Sequence, residues 1–250
     1  MTRLALALLF LIPAAAAAAD DFTATGDKIR TAMAADIRTA EEVDRDPNRR
    51  PVETLEFFGL RDDMKVIELI PGGGWYTKLL APVLAENGEY YAAIGTTRIK
   101  ESLAGQPGFE KMNIVAEDAK VYRPEDARLY TLEVGDLGAE GADMVLTFRN
   151  YHNFDAAGRA ALNKAVHDAL KPGGIYGVVD HTRRHMQEDD PENGRRMDPV
   201  LAIKEIQAAG FELVDFSDLH YIPDDELRYE VGRKTVTGNT DRFTLKFVRK

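Results

Sequence analysis

The sequence predicts an α/β fold in which helices cover both faces of a mostly parallel sheet. Helical and strand-like segments alternate along the chain, which is the pattern typical of such sheets. A chain of 250 residues is long enough for one domain with a full core. One apolar run, residues 65–70, leads directly through a glycine-rich turn into a helix. That strand–glycine–helix unit indicates a ligand-binding edge of the sheet.

The helices are predicted from apolar residues that recur at helical spacing and from the Pro or Gly residues that bound them. Ile29, Met33 and Ile37 show this spacing in the first helix, and Pro51 opens the second. The predicted helices cover residues 27–42, 51–59, 75–84, 99–103, 156–170 and 199–209.

The strands are predicted from short apolar runs that turn residues separate. Asn87-Gly88 precedes the second strand, and Lys171-Pro172-Gly173-Gly174 separates a helix from the fifth. The last strand alternates aromatic and aliphatic residues with polar ones and closes the sheet. The seven predicted strands cover residues 65–70, 89–94, 129–134, 143–148, 175–180, 211–216 and 242–249.

Charge and composition exclude several classes of function. The net charge of −10 predicts that neither nucleic acid nor an anionic membrane surface is the main partner, because a phosphate backbone requires a concentrated basic face. The chain has no cysteine, which excludes disulfides, thiolate zinc sites and a thiol nucleophile. Its five histidines lack paired metal-ligand spacing, so no metal site is predicted.

The N-terminus has the organisation of a signal peptide. Arg3 precedes an apolar stretch over residues 4–12, and Ala17-x-Ala19 places small residues where a signal peptidase cleaves. We therefore predict cleavage after residue 19, export to a periplasm, and no stable membrane insertion of the mature protein. An uncleaved membrane-anchoring helix is the alternative. Residues 20–60 are predicted as an N-terminal helical segment and residues 61–250 as the main domain.

The strongest local motif is VIELIPGGGWYT, residues 66–77. Glycines let the backbone approach a ligand closely, and the helix that follows presents unpaired N–H groups. Such a turn suits an anionic or carboxylate-bearing nucleotide ligand. A dinucleotide fingerprint would require a small residue at Thr77 and an acid at the end of the second strand, and neither is present.

The motif Glu68-Leu69-Ile70-Pro71-Gly72-Gly73-Gly74 resembles motif I of class I S-adenosylmethionine-dependent methyltransferases. Segments 142–154, 170–181 and 208–219 are similar to later motifs of that superfamily, in the same order and spacing. More narrowly, residues 50–250 resemble a little-characterised group of exported bacterial methyltransferases. The resemblance implies a Rossmann-like class I methyltransferase fold with a seven-stranded sheet and an antiparallel last strand.

The resemblance also implies a ligand and its binding residues. The cofactor would be S-adenosylmethionine, and the methyl acceptor a small molecule or an exported macromolecule. Asp136, after the third strand, would either lie near the adenine amine or be a simple turn aspartate, with Asp118 as a weaker competitor for the first role. The glycine-rich loop would hold the cofactor through Glu68, Pro71, Gly72, Gly73 and Gly74.

Two positions depart from the superfamily pattern. Ile70 replaces the first glycine of motif I, and Ile94 stands where an acid usually holds the ribose hydroxyls. A hydrogen bond to a charged group contributes about 1.5–3 kcal/mol, so its absence predicts cofactor binding that is about 10–100-fold weaker. Thr96 and Thr97 are the nearest hydroxyls that can substitute.

Polar residues that follow the fourth and fifth strands are the candidates for acceptor binding and catalysis. Asn150 and His152 lie at the carboxyl edge, where open α/β sheets bind ligands. His152 is either a general base or a residue that packs at the pocket rim. Asp180 and His181 either contact the acceptor or cap a loop, and residues 182–198 are predicted as a mobile cover.

Two other functions remain open at this stage. The first is a non-catalytic exported protein that binds a nucleoside or other small molecule on the same fold, which Ile70 and Ile94 favour. The second is an NAD(P)-dependent oxidoreductase, which Thr77 disfavours.

Overall fold

The computed structural model describes the backbone of residues 15–250 and the side chains of residues 22–250. The predicted signal peptide, residues 1–19, lies outside the described side chains and stays a prediction. The helices are α1 (Ala15–Met33), α2 (Ala40–Val43), α3 (Asp46–Arg49), α4 (Pro51–Phe58), α5 (Thr77–Leu84), α6 (Thr97–Leu103), α7 (Ala156–Ala169) and α8 (Pro199–Ala208). The strands are β1 (Lys65–Leu69), β2 (Glu89–Ala93), β3 (Asn113–Val115), β4 (Lys120–Tyr122), β5 (Thr131–Glu133), β6 (Ala142–Phe148), β7 (Leu170–His181), β8 (Phe211–Ser217) and β9 (Arg242–Arg249).

Seven strands form one sheet in the order β3-β2-β1-β6-β7-β9-β8. The pairs from β3 to β7 are all parallel, and β9 is antiparallel to both β7 and β8. The predicted α/β fold, with a mostly parallel seven-stranded sheet and an antiparallel last strand, is confirmed. The strand order reverses between β1 and β6, and ligands bind at such a reversal in open α/β sheets.

Helices cover both faces of the sheet, as the sequence predicts. On one face, Leu162 and Val166 of α7 and Ile206 of α8 are fully buried against the sheet. On the other, Ile29 of α1 and Leu79 of α5 are fully buried. Of the N-terminal helices, α1 and α4 therefore share a core with the sheet, whereas α2 and α3 have no buried residue. Within residues 15–250, no helix is both long and apolar enough to cross a membrane.

The prediction that residues 129–134 form the third strand of the main sheet is wrong. β5 pairs instead with β4, in a separate antiparallel sheet of two strands. The third strand of the main sheet is β3, which pairs with β2 at the sheet edge. Leu132 is buried beside α7, so its apolar character comes from packing under that helix. β3 has only three residues, each at least partly exposed, and therefore lacks the apolar run of a central strand.

Two predicted boundaries also change. The helix predicted over 27–42 ends at Met33, because Thr39 starts α2 with a capping box in which Thr39 and Glu42 satisfy each other's backbone N–H groups. β7 begins at Leu170, before the predicted strand at 175, because Leu170 already pairs with Ala142 and the intervening residues form a bulge.

Candidate functional site

The glycine turn after β1 has an open backbone. A Cβ atom on Gly72 or Gly73 would meet no atom within 4 Å, so both residues face free space. A Cβ on Gly74 would lie 2.9 Å from Ile99 Cγ2, and Gly74 has a φ of +83°, which glycine adopts at no steric cost. Gly72 and Gly73 thus leave room for a ligand, whereas Gly74 permits close packing against α6.

Two adjoining cavities open at the carboxyl edge of the sheet. The larger has a volume of about 900 Å³ and the smaller about 480 Å³, both within the range of small-molecule sites. Ile70, Asn150 and His152 line both cavities. Pro71, Gly72 and Gly73 line the smaller one. The structure therefore brings together the predicted glycine turn and both residues predicted for catalysis.

Asp180, near the end of β7, holds His152, which follows β6. No local sequence pattern pairs these two residues. The Nδ1 atom of His152 lies 2.5 Å from Asp180 Oδ1, and its backbone N–H donates to Oδ2 at 2.8 Å. Asp180 is fully buried, so an ionised carboxylate there requires these donors. A proton on Nδ1 leaves Nε2 as the basic nitrogen of the neutral ring.

His181 lies next to this pair. Its ring centroid is 5.5 Å from that of His152, and it also lines the smaller cavity. Burial lowers the pKa of His181 well below its usual value, and the positive charges nearby add to the effect. His181 is therefore a neutral ring that hydrogen-bonds Thr240 Oγ1 at 2.8 Å.

Asn150 joins the two strands at which the sheet order reverses. Its Nδ2 donates to the carbonyl of Ile70, after β1, and to that of Phe148, the last residue of β6, each at 3.1 Å. Both amide hydrogens are thereby used. Among the described residues, none donates to Asn150 Oδ1, which is left as an acceptor at the junction of the cavities.

Glu68 lies beneath the glycine turn and lines neither cavity. Its Oε2 accepts hydrogen bonds from Tyr90 Oη at 2.6 Å and from Thr77 Oγ1 at 2.8 Å. Burial raises the pKa of Glu68 from its usual 4.5 to about 7. The carboxyl group joins β1, β2 and α5 from inside the core, and its predicted contact with a cofactor stays a prediction.

The structure does not bring Asp136 to the two cavities. Its Oδ1 caps a turn by accepting from the backbone N–H of Gly138 at 2.7 Å. It lines a separate cavity of about 380 Å³, beside Asp168. Asp118 is exposed and also lines neither of the two cavities. The acids that do line the larger cavity are Glu125 and Asp126, from a loop that gave no motif in the sequence.

Apolar side chains occupy the positions that depart from the superfamily pattern. Ile94 is fully buried, has a φ of +65° and lines the larger cavity. Ile70 has a φ of +51° and lines both cavities. The end of β2 therefore presents a hydrocarbon wall where an acid was expected. Thr96 is buried and immediately precedes α6, and Thr97 is exposed on it.

The N-terminal helical segment closes one side of the smaller cavity. Trp75 Nε1 donates to the carbonyl of Glu42 at 2.9 Å, and the Glu42 carboxylate pairs with Lys78 Nζ at 2.8 Å. Arg49 packs over the Trp75 ring, with its Cζ 4.3 Å from the centroid. Arg49 and Arg149 both line the cavity. No sequence motif identifies either arginine, although Arg149 directly precedes Asn150.

Residues of the segment 182–198 line both cavities, and its role as a mobile cover stays a prediction. Pro191 and Gly194 line the larger cavity, and Arg195 lines both. Its C-terminal end is anchored by the buried pair Arg196–Asp225. Among the residues that the structure describes, no cluster of His, Asp or Glu is suited to hold a metal ion.

Solved structures share this fold at low sequence identity. A SAM-dependent methyltransferase from Aquifex aeolicus superposes with a TM-score of 0.55 at 14% identity, over 90% of this chain and 98% of that one. The cyclase SpnF gives 0.54 at 15%, over 81% and 80%. Human N-acetylserotonin methyltransferase, in complex with SAM, gives 0.51 at 13%, over 95% and 60%.

No protein-family model matches the chain, and no curated protein matches its sequence. At these identities the structural likeness shows the fold alone, which is the Rossmann-like fold of class I methyltransferases, as the sequence predicts. Since one structure with this fold is a cyclase, the reaction has to be argued from the site.

Proposed function

We propose that the protein is an S-adenosylmethionine-dependent methyltransferase whose acceptor loses a proton to His152. The observation that carries this proposal is the His152–Asp180 pair, which opens onto cavities beside the glycine turn. A histidine oriented by a buried carboxylate is the usual arrangement of a general base. The same residue lines both cavities, so it can contact an acceptor that lies beside a cofactor.

The residues present fit the cofactor. Gly72 and Gly73 leave open space above the turn, and the two cavities adjoin there. Ile70 and Ile94 offer an apolar wall for the adenosine. Because β2 ends without an acidic residue, the ribose hydroxyls would bind to acids of the loop over residues 123–130. When bound, S-adenosylmethionine supplies a methyl group activated by its sulfonium sulfur.

The chain's own residues supply alignment and proton transfer. Asn150 fixes the junction of the cavities by bonding β1 to β6. His152 accepts the acceptor's proton at Nε2, and Asp180 stabilises the resulting imidazolium through Nδ1–H. Alignment is the main requirement of methyl transfer, and the proton transfer makes a hydroxyl or amine acceptor nucleophilic. Residues 182–198 would cover the cavities and so limit the access of water to the reacting groups.

A non-catalytic binding protein is the second candidate. The apolar end of β2 favours it, because Ile94 removes the hydrogen bond that usually holds the ribose. Such a protein would bind a nucleoside or another small molecule in the same cavities, and His152 would only line the pocket.

Calorimetric titration of the purified chain with S-adenosylhomocysteine, and separately with NAD(P), tests the cofactor. We expect S-adenosylhomocysteine to bind and NAD(P) not to. Gly73→Val would fill the open space above the turn and should weaken that binding about 100-fold, or about 2.7 kcal/mol. Gly135→Val is the matched control, because Gly135 is also exposed and free of neighbours within 4 Å but lines neither cavity.

Binding to Gly73→Val at wild-type strength, with unchanged circular dichroism, would refute the cofactor cradle. His152→Gln separates the two candidate functions once an acceptor is known. The enzyme should keep S-adenosylhomocysteine binding and lose turnover, and the loss should shrink at high pH because the acceptor then ionises unaided. Unchanged turnover would remove His152 as the base.

A further inference from the structure

Four arginines meet beside the smaller cavity without a carboxylate partner. This arginine cluster consists of Arg45, Arg49, Arg149 and Arg242. Among the described residues, no acidic side chain forms an ion pair with any of them, although the chain as a whole carries a net charge of −10. Within residues 22–250, the only side-chain hydrogen bonds of the arginine cluster are those of Arg242, which donates to the carbonyls of Asn48 at 2.6 Å and Gly238 at 3.3 Å.

The members of the arginine cluster repel one another. Burial, together with the charges of Arg149, Arg45 and Arg242, lowers the pKa of Arg49 to about 9. Burial likewise lowers the pKa of Arg149, and that of Arg242 to about 10. The buried atoms Arg49 Nε, Arg49 Nη1, Arg45 Nε and Arg242 Nε have no hydrogen-bond partner. Asp180 and Asp241 oppose the shifts of Arg149 and Arg242, but in the described part of the chain neither acid forms an ion pair with the arginine cluster. Buried charge without such a pair is costly.

Two members of the arginine cluster line a cavity that a ligand can enter. Arg49 and Arg149 both line the smaller cavity, as does His152. Other charged groups of that wall are neutralised, since Glu42 pairs with Lys78 and Arg195 with Glu230. The cavity therefore has two guanidinium groups free to bind an oxyanion, which is the ligand that their geometry suits.

We propose that Arg49 and Arg149 bind a phosphate or carboxylate group of the methyl acceptor, which is therefore a small acid. That the bound anion belongs to a methyl acceptor rests on the proposed function, whereas the anion site itself does not. The cofactor has one carboxylate, and its own ammonium and sulfonium groups make its net charge positive, so it does not neutralise two guanidinium groups. An anion held here lies in the same cavity as His152, so the acceptor's nucleophilic atom would lie beside the base.

The test measures binding of inorganic phosphate and of succinate to the full chain by calorimetry, with and without saturating S-adenosylhomocysteine. We expect at least one of the two anions to bind when S-adenosylhomocysteine is present. Tighter binding of phosphate would indicate a phosphate group on the acceptor, and tighter binding of succinate would indicate a carboxylate. Arg49→Gln and Arg149→Gln should each weaken that binding about 10–100-fold. Both variants should also unfold at a higher temperature than the wild type without ligand, because each removes an unpaired buried charge.

Arg123→Gln is the control, since Arg123 is an exposed arginine of the larger cavity only, and it should bind the anion as the wild type does. Wild-type anion binding by both cluster variants would overturn the proposal, as would failure of both anions to bind. Competition between anion and S-adenosylhomocysteine would also overturn it, because the arginines would then hold the cofactor's carboxylate. Anion binding without any S-adenosylhomocysteine binding would instead refute the methyltransferase and retain the anion site.

Discussion

Glu68 links the pH dependence of stability to one buried carboxyl group. Its pKa of about 7 in the folded protein exceeds the usual 4.5, so the folded state retains the proton longer than the unfolded state does. The stability associated with this proton is present below pH 4.5 and is lost as the pH rises through about 7. Tyr90 and Thr77 donate to the carboxyl group but do not offset the burial.

Glu68→Gln should remove this loss, because glutamine is close in shape to the protonated acid. As the pH rises from 5 to 8, the free energy of unfolding of the wild type should fall by about 2–3 kcal/mol relative to that of the variant. Urea denaturation at both values measures the gain. Glu101→Gln, at an exposed position of α6, should show none. Parallel pH profiles for the wild type and Glu68→Gln would mean that Glu68 is ionised at pH 5 in the folded protein.

Ile94 combines an apolar wall with an unfavourable backbone conformation. A β-branched residue at a φ of +65° costs on the order of 1–3 kcal/mol, and Asp adopts that region more readily. Ile94→Asp should therefore tolerate the turn and provide the missing ribose acceptor. We expect S-adenosylhomocysteine to bind about tenfold more tightly in a calorimetric titration. Ile94→Asn relieves the backbone without the charge and should gain less. If neither variant binds more tightly, the ribose is held by other residues.

At the level of elements, the loop over residues 182–198 has a fully buried ion pair near its C-terminal end. Arg196 and Asp225 are fully buried side chains joined by two hydrogen bonds, at 2.8 and 3.0 Å. Arg196→Met leaves Asp225 as an unpaired buried charge and should cost about 3–5 kcal/mol of stability. Adding Asp225→Leu should restore most of that loss.

Urea denaturation measures this cycle. Lys100→Ala, which breaks the exposed pair with Glu117, is the control and should cost less than about 1 kcal/mol. A double variant as unstable as Arg196→Met alone would show that Asp225 acts mainly through its backbone contacts, which include the N–H of Asp241 at 2.7 Å.

The elements that the sequence predicted correctly are those whose pattern is local. The run from β1 through the glycines to α5 carries its strand, turn and helix signals within a few residues. β3 carries no such signal, since its place is set by pairing with β2. For the site, strand order brings Asn150 and His152 to the predicted edge. Arg49 reaches that edge only through the packing of α3, which no local pattern encodes.

For the whole molecule, we propose that the chain is exported and that the mature protein begins at Asp20. Arg3, the apolar stretch over residues 4–12 and Ala17-x-Ala19 are arranged as in a cleavable signal peptide. N-terminal sequencing of fractionated cells should find a periplasmic species that begins with Asp20. A cytoplasmic species that retains Met1 would contradict export. An exported methyltransferase also needs a supply of S-adenosylmethionine, because this charged molecule does not cross a bilayer freely.

The position of β9 constrains when the sheet can be completed. β9 lies between β7 and β8, and within residues 15–250 it is the only strand with which β8 pairs. A nascent chain that has emerged only as far as residue 241 therefore lacks a central strand, and β8 has no neighbour to receive its hydrogen bonds. Contacts between segments distant in sequence form slowly. Synthesis from the N-terminus thus leaves the main sheet incomplete until residues 242–249 have emerged.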